Sequence, residues 1–175
     1  MGGSIQHYGC RQNILATPAL PGTGPVRIVG ALKATDLAFN QALGIRAAPA
    51  GTVHLLELPF TPLVLNHVGI MHAAAQFSLA EAASAECLQR HFGAAVEGVF
   101  GVVRAVEVKY RRPATGDLLA FGAPDEHTRD HLLEELARRG RTGAVILIDL
   151  KDRAGTLTFH GKFEWFISRV PPTPT

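Results

Sequence analysis

Asn66, Gly69, His72 and Glu81 have the residue types and the spacing for chemistry on an acyl carbonyl. The first three fall in the run Asn66-His-Val-Gly69-Ile-Met-His72-Ala73, which reads as a strand-to-helix junction. Backbone N–H groups at a helix start carry partial positive charge and can hold a developing oxyanion. Ala73 N–H is the natural candidate. Asn66 can position a water or a carbonyl, and His72 can cap the helix or orient a substrate. Gly69 permits a backbone turn that other residues resist. His67 reads as a loop residue. Glu81 has Leu79, Ala80, Ala82 and Ala83 for neighbours and no charge partner among them. A carboxylate in such surroundings is costly unless it has a task or a hydrogen bond. Desolvation raises its pKa toward the range of a general base. Glu81 can then activate water or attack a carbonyl directly. Plainer readings compete: Glu81 as a solvated or backbone-satisfied side chain, and His72 as an ordinary helix-end residue.

The element that must carry these groups is residues 72–90, a run without Gly, Pro or any β-branched residue. Alanine dominates it and is the best helix former. A helix with so little charge is expected to be central and buried. Glu81 lies eight residues beyond Ala73, about 12 Å along the axis at about 1.5 Å per residue. A base and an oxyanion hole must converge on one carbonyl within a few ångströms. Two antiparallel copies of the helix can achieve that, so the spacing predicts a homodimer with composite sites.

Around this helix the pattern predicts a helix over 31–43 and a strand over 52–60. Strands follow over 95–112, 117–124, 143–150 and 156–169, with turns at Pro113–Gly116 and Asp152–Gly155. An amphipathic helix over 127–140 places Leu132, Leu133 and Leu136 on one face, with Asp125 or Thr128 as its cap and Gly140 as its stop. Hairpin-length turns imply an antiparallel sheet and an α+β class. Pro18, Pro21 and Pro25 mark residues 1–30 as an extended arm. Residues 31–170 form the single domain, and 171–175 read as a disordered tail.

The 175 residues are 47% hydrophobic and 18% charged, with a formal net charge of +2. That balance fits one globular domain and argues against nucleic acid as a partner. No run is long and apolar enough for a membrane helix. Cys10 and Cys87 make no metal-ligand spacing, so a reduced, cytoplasmic setting is expected. There is no GxSxG, HExxH or P-loop. Phe159, Phe163, Trp165 and Phe166 read as core or dimer packing. Arg138, Arg139 and Arg141 read as a solvated helix end.

The spacing Asn66, Gly69, His72, Glu81, together with the element order, resembles the hotdog-fold thioesterases, in particular their phenylacetate-pathway (PaaI-like) branch. In that pattern a Gly, a His and an acid follow an Asn at three, six and fifteen residues, as they do here. The segment from Tyr110 (YRRPATGDLLA) and the Asp149…Gly155 hairpin are similar to the strands that follow the family's helix. The resemblance covers roughly residues 31–169. It implies a hotdog fold, in which an antiparallel sheet wraps a long central helix. It implies a homodimer, or a dimer of dimers (homotetramer), and hydrolysis of acyl-CoA without metal or organic cofactor. Carried over, Glu81 is base or nucleophile, Ala73 N–H polarises the thioester, Asn66 orients water, and His72 supports the carbonyl or the loop. Phe77 is expected in an acyl pocket and Arg111 and Arg112 on CoA phosphates, against plainer readings as core and as a solvated strand end. The chain departs from the pattern at Ala73, where Gly is usual, at Ile70, where Thr is common, and at Ala82. The competing functional readings are an acyl-CoA-binding or sensing module without catalysis, a hydratase or dehydratase, and a purely structural dimer.

Overall fold

The structure, a computed structural model, describes residues 33–96 and 99–169. The expected arm and tail lie outside the described residues. A six-stranded antiparallel sheet holds β1 (Arg46–Ala47), β2 (Leu56–Leu58), β3 (Phe100–Tyr110), β4 (Leu118–Pro124), β5 (Arg141–Asp152) and β6 (Leu157–Ser168). Its strand order is β1-β2-β4-β5-β6-β3. The helices are α1 (Ala38–Leu43), α2 (Ala73–Phe92) and α3 (Glu126–Arg139). The α+β hotdog architecture expected from the sequence is the one observed.

Helix α2 lies in the concave face of the sheet, against β2, β4, β5 and β6. Its Leu79, Ala80, Ala83 and Cys87 join Leu118, Ile146, Ile148, Phe159 and Phe163 in one buried cluster. Burying each such leucine or phenylalanine contributes about 1.5–3 kcal/mol. Small alanines let the helix approach the strands closely. Ser84 bridges the layers: its hydroxyl accepts from Trp165 Nε1 at 3.1 Å and donates to Glu81 C=O at 2.7 Å. Gly161 is also a packing device. A Cβ there would stand 2.7 Å from the Phe163 ring and 2.8 Å from that of Phe159, so the missing side chain lets both rings close over the strand.

Four sequence expectations change. The helix expected over 31–43 is a 3-10 turn at Ala34–Asp36 followed by α1, because Leu37 is extended (φ −70°, ψ 126°). Asn40 Nδ2 donates to Ala34 C=O at 2.8 Å and holds this broken arrangement. The strand expected over 52–60 narrows to Leu56–Leu58, since 49–52 form a turn and Pro59 cannot extend the ladder. The strand expected over 95–112 is regular only from Phe100 to Tyr110. In α3, Leu132 and Leu136 are buried but Leu133 is 47% exposed. At about 100° per residue, Leu133 is rotated off the face that positions 132 and 136 share.

The cap of α3 is Asp125, whose Oδ1 accepts from Thr128 N at 2.8 Å, and Gly140 (φ +67°) ends the helix. The Thr128 hydroxyl accepts from Val145 N at 2.8 Å and so covers β5 where β4 has ended. An ionic cluster ties the far edge of the sheet. Buried Glu57 meets His54 Nε2 at 2.8 Å, Arg46 Nη2 at 3.3 Å and Arg153 Nη2 at 3.7 Å. Burial opposes ionisation of Glu57, but the His54 hydrogen bond and the charges of His54, Arg153 and Arg46 outweigh it and lower its pKa. Asp117 pairs with Arg153 at 3.1 Å and accepts Phe60 N–H, which is the largest influence holding its pKa down.

Candidate active site

The loop before α2 is built around Asn66. Its Oδ1 accepts from Val68 N at 3.0 Å and Ile70 N at 3.3 Å, while Asn66 N donates to Ile70 C=O at 2.9 Å. Gly69 takes φ +77°, a left-handed conformation that explains glycine there. A bridge between Leu65 and Met71 closes the loop, and Met71 N donates to Ala114 C=O at 2.9 Å. The Asn66 oxygen is therefore occupied by the turn, and its Nδ2 amide is the end left for a ligand.

His72 is the N-cap of α2. Its Nδ1 accepts from Ala74 N at 3.0 Å. A ring nitrogen that accepts is unprotonated, so in the neutral imidazole the proton sits on Nε2, as an outward donor. Ala75 N and Gln76 N both bond His72 C=O. Ala73 N–H has no acceptor among the described residues, and Ala73 is exposed. Tyr110, at the end of β3, fastens the helix start: its hydroxyl donates to Ala73 C=O at 3.1 Å and its ring meets Phe159 edge-on at 5.3 Å.

From this end the incompletely buried face of α2 runs through Phe77, Ser78, Glu81 and Ala85. The helix is thus covered on one side and open on the other, rather than enclosed on most sides. Glu81 sits on the open side, half-buried, and its side chain has no hydrogen-bond or ionic partner among the described residues. Burial alone raises its pKa above the ordinary carboxylate value. Phe77 lies between Glu81 and the helix start and packs on Phe163 at 5.9 Å between centroids.

Arg111 and Arg112 follow Tyr110, and their backbone N–H groups reach Thr158 C=O at 2.7 and 3.4 Å. With the 154–157 turn they line an open hollow of about 530 Å³ at the end of β3 that follows Tyr110. Asn66, Gly69, His72 and Ala73 thus stand together at one end of α2, and the two arginines follow Tyr110, whose hydroxyl holds Ala73. Glu81 stands two turns away within the same chain.

Sequence reasoning missed two residues here. Tyr110 opened a recognised segment, but the reach of its hydroxyl to Ala73 is a tertiary fact. Gln76 is buried, donates from Nε2 to Met71 C=O at 3.2 Å, and leaves Oε1 without a partner. Cys87 is not a candidate nucleophile, because burial pushes its thiol up to about 12. No described helix is long and apolar enough to cross a membrane.

Known structures share this fold. A Pseudomonas aeruginosa protein of unknown function, described as a probable thioesterase, is 26% identical, covers 80% of this chain and 93% of its own, and superposes with a TM-score of 0.66. A Bacillus halodurans protein solved with CoA is 18% identical over 74% of each chain, at a TM-score of 0.57. The PaaI protein of the E. coli phenylacetic acid degradation operon is 19% identical, covers 80% of this chain and 89% of its own, at a TM-score of 0.56. No curated protein matches in sequence. Residues 38–167 match the family described as Domain of unknown function (DUF4442). The chain belongs to that family, and its fold is the hotdog fold of the thioesterase structures.

Proposed function

We propose that the protein hydrolyses acyl-CoA thioesters at sites formed between two copies of the chain. The carrying observation is the pairing of an unsatisfied Ala73 N–H at the start of α2 with a desolvated, partnerless Glu81 on its open face. Strand β3 supports the dimer. It is an edge strand of eleven residues, with Val103, Val106 and Val108 half-buried on its inner side. A long unpaired apolar edge invites pairing with another strand. Antiparallel pairing of two β3 edges would run the two copies of α2 antiparallel, with the Tyr110–Ala73 corner of each copy turned toward the other.

In this reading the thioester carbonyl lies against Ala73 N–H and His72 Nε2–H of one copy. Glu81 of the other copy takes a proton from water as the oxygen attacks the carbonyl carbon. The negative charge collects on the former carbonyl oxygen, held by those donors. Collapse breaks the C–S bond, and the thiolate takes the proton from Glu81. Direct attack by Glu81, with later hydrolysis of an anhydride, uses the same groups. Asn66 Nδ2 orients the water, Phe77 lines the acyl side, and Arg111 and Arg112 meet CoA phosphates. The likeness to the probable thioesterase and to a fold solved with CoA supports this chemistry. No metal or organic cofactor has a step in it, and a cytoplasmic site of action suits the substrate.

The test is a panel of acyl-CoAs of different chain length, followed with a thiol-detecting dye. Turnover by wild type that Glu81→Gln abolishes is the expected result. Tight acyl-CoA binding without turnover would replace the enzyme with the binding-module reading.

A further inference from the structure

The outer face of the sheet carries a second groove, lined by charged and apolar side chains, on the side of the sheet away from α2. It lies between α3 and the β5–β6–β3 ladder and has a volume of about 670 Å³. Trp165 points to α2 through Ser84, so the next residue, Phe166, faces the opposite side of the sheet. Opposite these residues β3 is irregular: the pairing passes from Val103↔Trp165 to Ala105↔Glu164, leaving Arg104 as an extra residue. Such a bulge re-aims a side chain. Here it sets the Arg104 guanidinium 4.0 Å from the centre of the Phe166 ring. Gly143 contributes bare backbone to the groove, and even an added Cβ would come no nearer than 3.8 Å to Trp165 C=O.

Three elements bring cations to this groove: Arg104 from β3, Arg139 from α3 and Arg141 from β5. None has a carboxylate within ion-pair distance among the described residues. The two acids of the groove are hydrogen-bonded to other groups, and Glu135 also lies 3.9 Å from His127 and feels the charge of Arg139. Glu135 takes the Thr142 hydroxyl at 2.6 Å, and Glu164 takes Lys162 Nζ at 2.6 Å. Arg139 and Arg141 also border a neighbouring hollow of about 660 Å³ with Arg169. Arg169 Nε donates to Leu136 C=O at 3.4 Å, which offsets the negative end of α3. Three arginines against two carboxylates leave the groove net positive, which favours an anion there.

We infer that this groove binds a nucleotide carrying at least two phosphates. The base lies on the Arg104 guanidinium, whose plane is already set by Phe166. The phosphates take Arg139 and Arg141, whose forked donors match phosphate oxygens. The volume is that of a small-molecule site. The ligand is either a free nucleotide or the nucleotide end of a CoA molecule; both present a base and a diphosphate.

The test is isothermal titration of the full chain with ADP, CoA and inorganic pyrophosphate, supported by the fluorescence of Trp165, the chain's single tryptophan. Saturable ADP binding is expected, weakened at least about tenfold by Arg139→Glu with Arg141→Glu, since charge-assisted hydrogen bonds are lost. Arg104→Ala should weaken ADP and leave pyrophosphate unchanged. Glu81→Gln should leave ADP binding unchanged, and the pair Arg111→Ala, Arg112→Ala should remove only ADP bound at the CoA hollow and keep the ADP binding that Arg139 and Arg141 support, which separates this site from the hydrolytic one. CoA that binds the Arg111/Arg112 variant as tightly as ADP does identifies CoA as a source; CoA that does not leaves the free nucleotide. Circular dichroism checks that the variants are folded, and Arg139→Gln with Arg141→Gln serves if the reversed charges unfold α3. The proposal is overturned by absence of ADP binding at millimolar concentration, by an unchanged Kd in folded arginine variants, or by pyrophosphate binding as tightly as ADP.

Discussion

Replacing Ala73 with proline removes one atom group that the proposed chemistry needs and little that the fold needs. Proline lacks the N–H and is well tolerated at the first helical position. Ala73 is that position, and its N–H bonds nothing among the described residues. The residue before a proline must be extended, and His72 already is, at φ −59° and ψ 140°. The helical φ of a first-turn residue suits the ring. The expected change in stability is therefore within about 0.5 kcal/mol, as for a substitution that breaks no contact. The effect on catalysis should be much larger. Loss of one oxyanion donor costs about 10²–10³ in kcat, or about 2.7–4 kcal/mol. The assay is thioester hydrolysis under saturating acyl-CoA, beside a thermal melt of the same preparation. Loss of turnover with an unchanged Tm is the expected pair of results. A folded Ala73→Pro protein with wild-type kcat would remove this N–H from the mechanism.

Glu81→Gln should lower kcat/KM by about 10²–10⁴, the range for a lost general base, read by the same dye assay. It should not destabilise the protein at pH 7. The folded pKa of Glu81 is raised, so its favourable contribution exists below the unfolded value and is lost as pH rises through the folded one. Melts of wild type against Glu81→Gln should diverge in favour of the variant as pH rises above about 4.5, the ordinary value of the group. Glu57 has the opposite sign. Its lowered pKa gives stability present above the unfolded value and lost as pH falls through the folded one, so Glu57→Gln should flatten the acid limb of a Tm-versus-pH curve. Gly161→Ala should cost about 1–3 kcal/mol by overpacking Phe159 and Phe163, lowering Tm by roughly 2–4 °C for each kcal/mol.

The sequence revealed most where one residue type dominated or where a turn needed a special residue. The alanine run from 73 onward could only be a helix close to strands, and Gly69 and Gly155 stand where φ is positive. The candidate site was legible because its members lie on one turn and one helix face, so that spacing is geometry. What escaped depended on remote partners. The hydroxyl of Tyr110 finds Ala73 across 37 positions, and Trp165 finds Ser84 across 81. The shortness of β2 reflects Pro59 acting against a hydrophobic run that looked long enough for a strand. The exposure of Leu133 shows that a leucine cluster in a helix need not share one face. The outer groove was invisible for a related reason: Arg104, Arg139 and Arg141 look like scattered surface charge until a bulge and an inserted helix bring them together.

The central claim is that one carbonyl is served by two chains. It is tested by mixing Glu81→Gln and Ala73→Pro proteins, each inactive alone, under conditions that exchange subunits. A mixed dimer would join Glu81 of one variant to the intact Ala73 N–H of the other at one of its two sites. Random pairing of equal amounts then restores about a quarter of wild-type turnover per chain. Activity no greater than the average of the two separate variants, in a preparation shown to contain mixed dimers, would contradict a shared site.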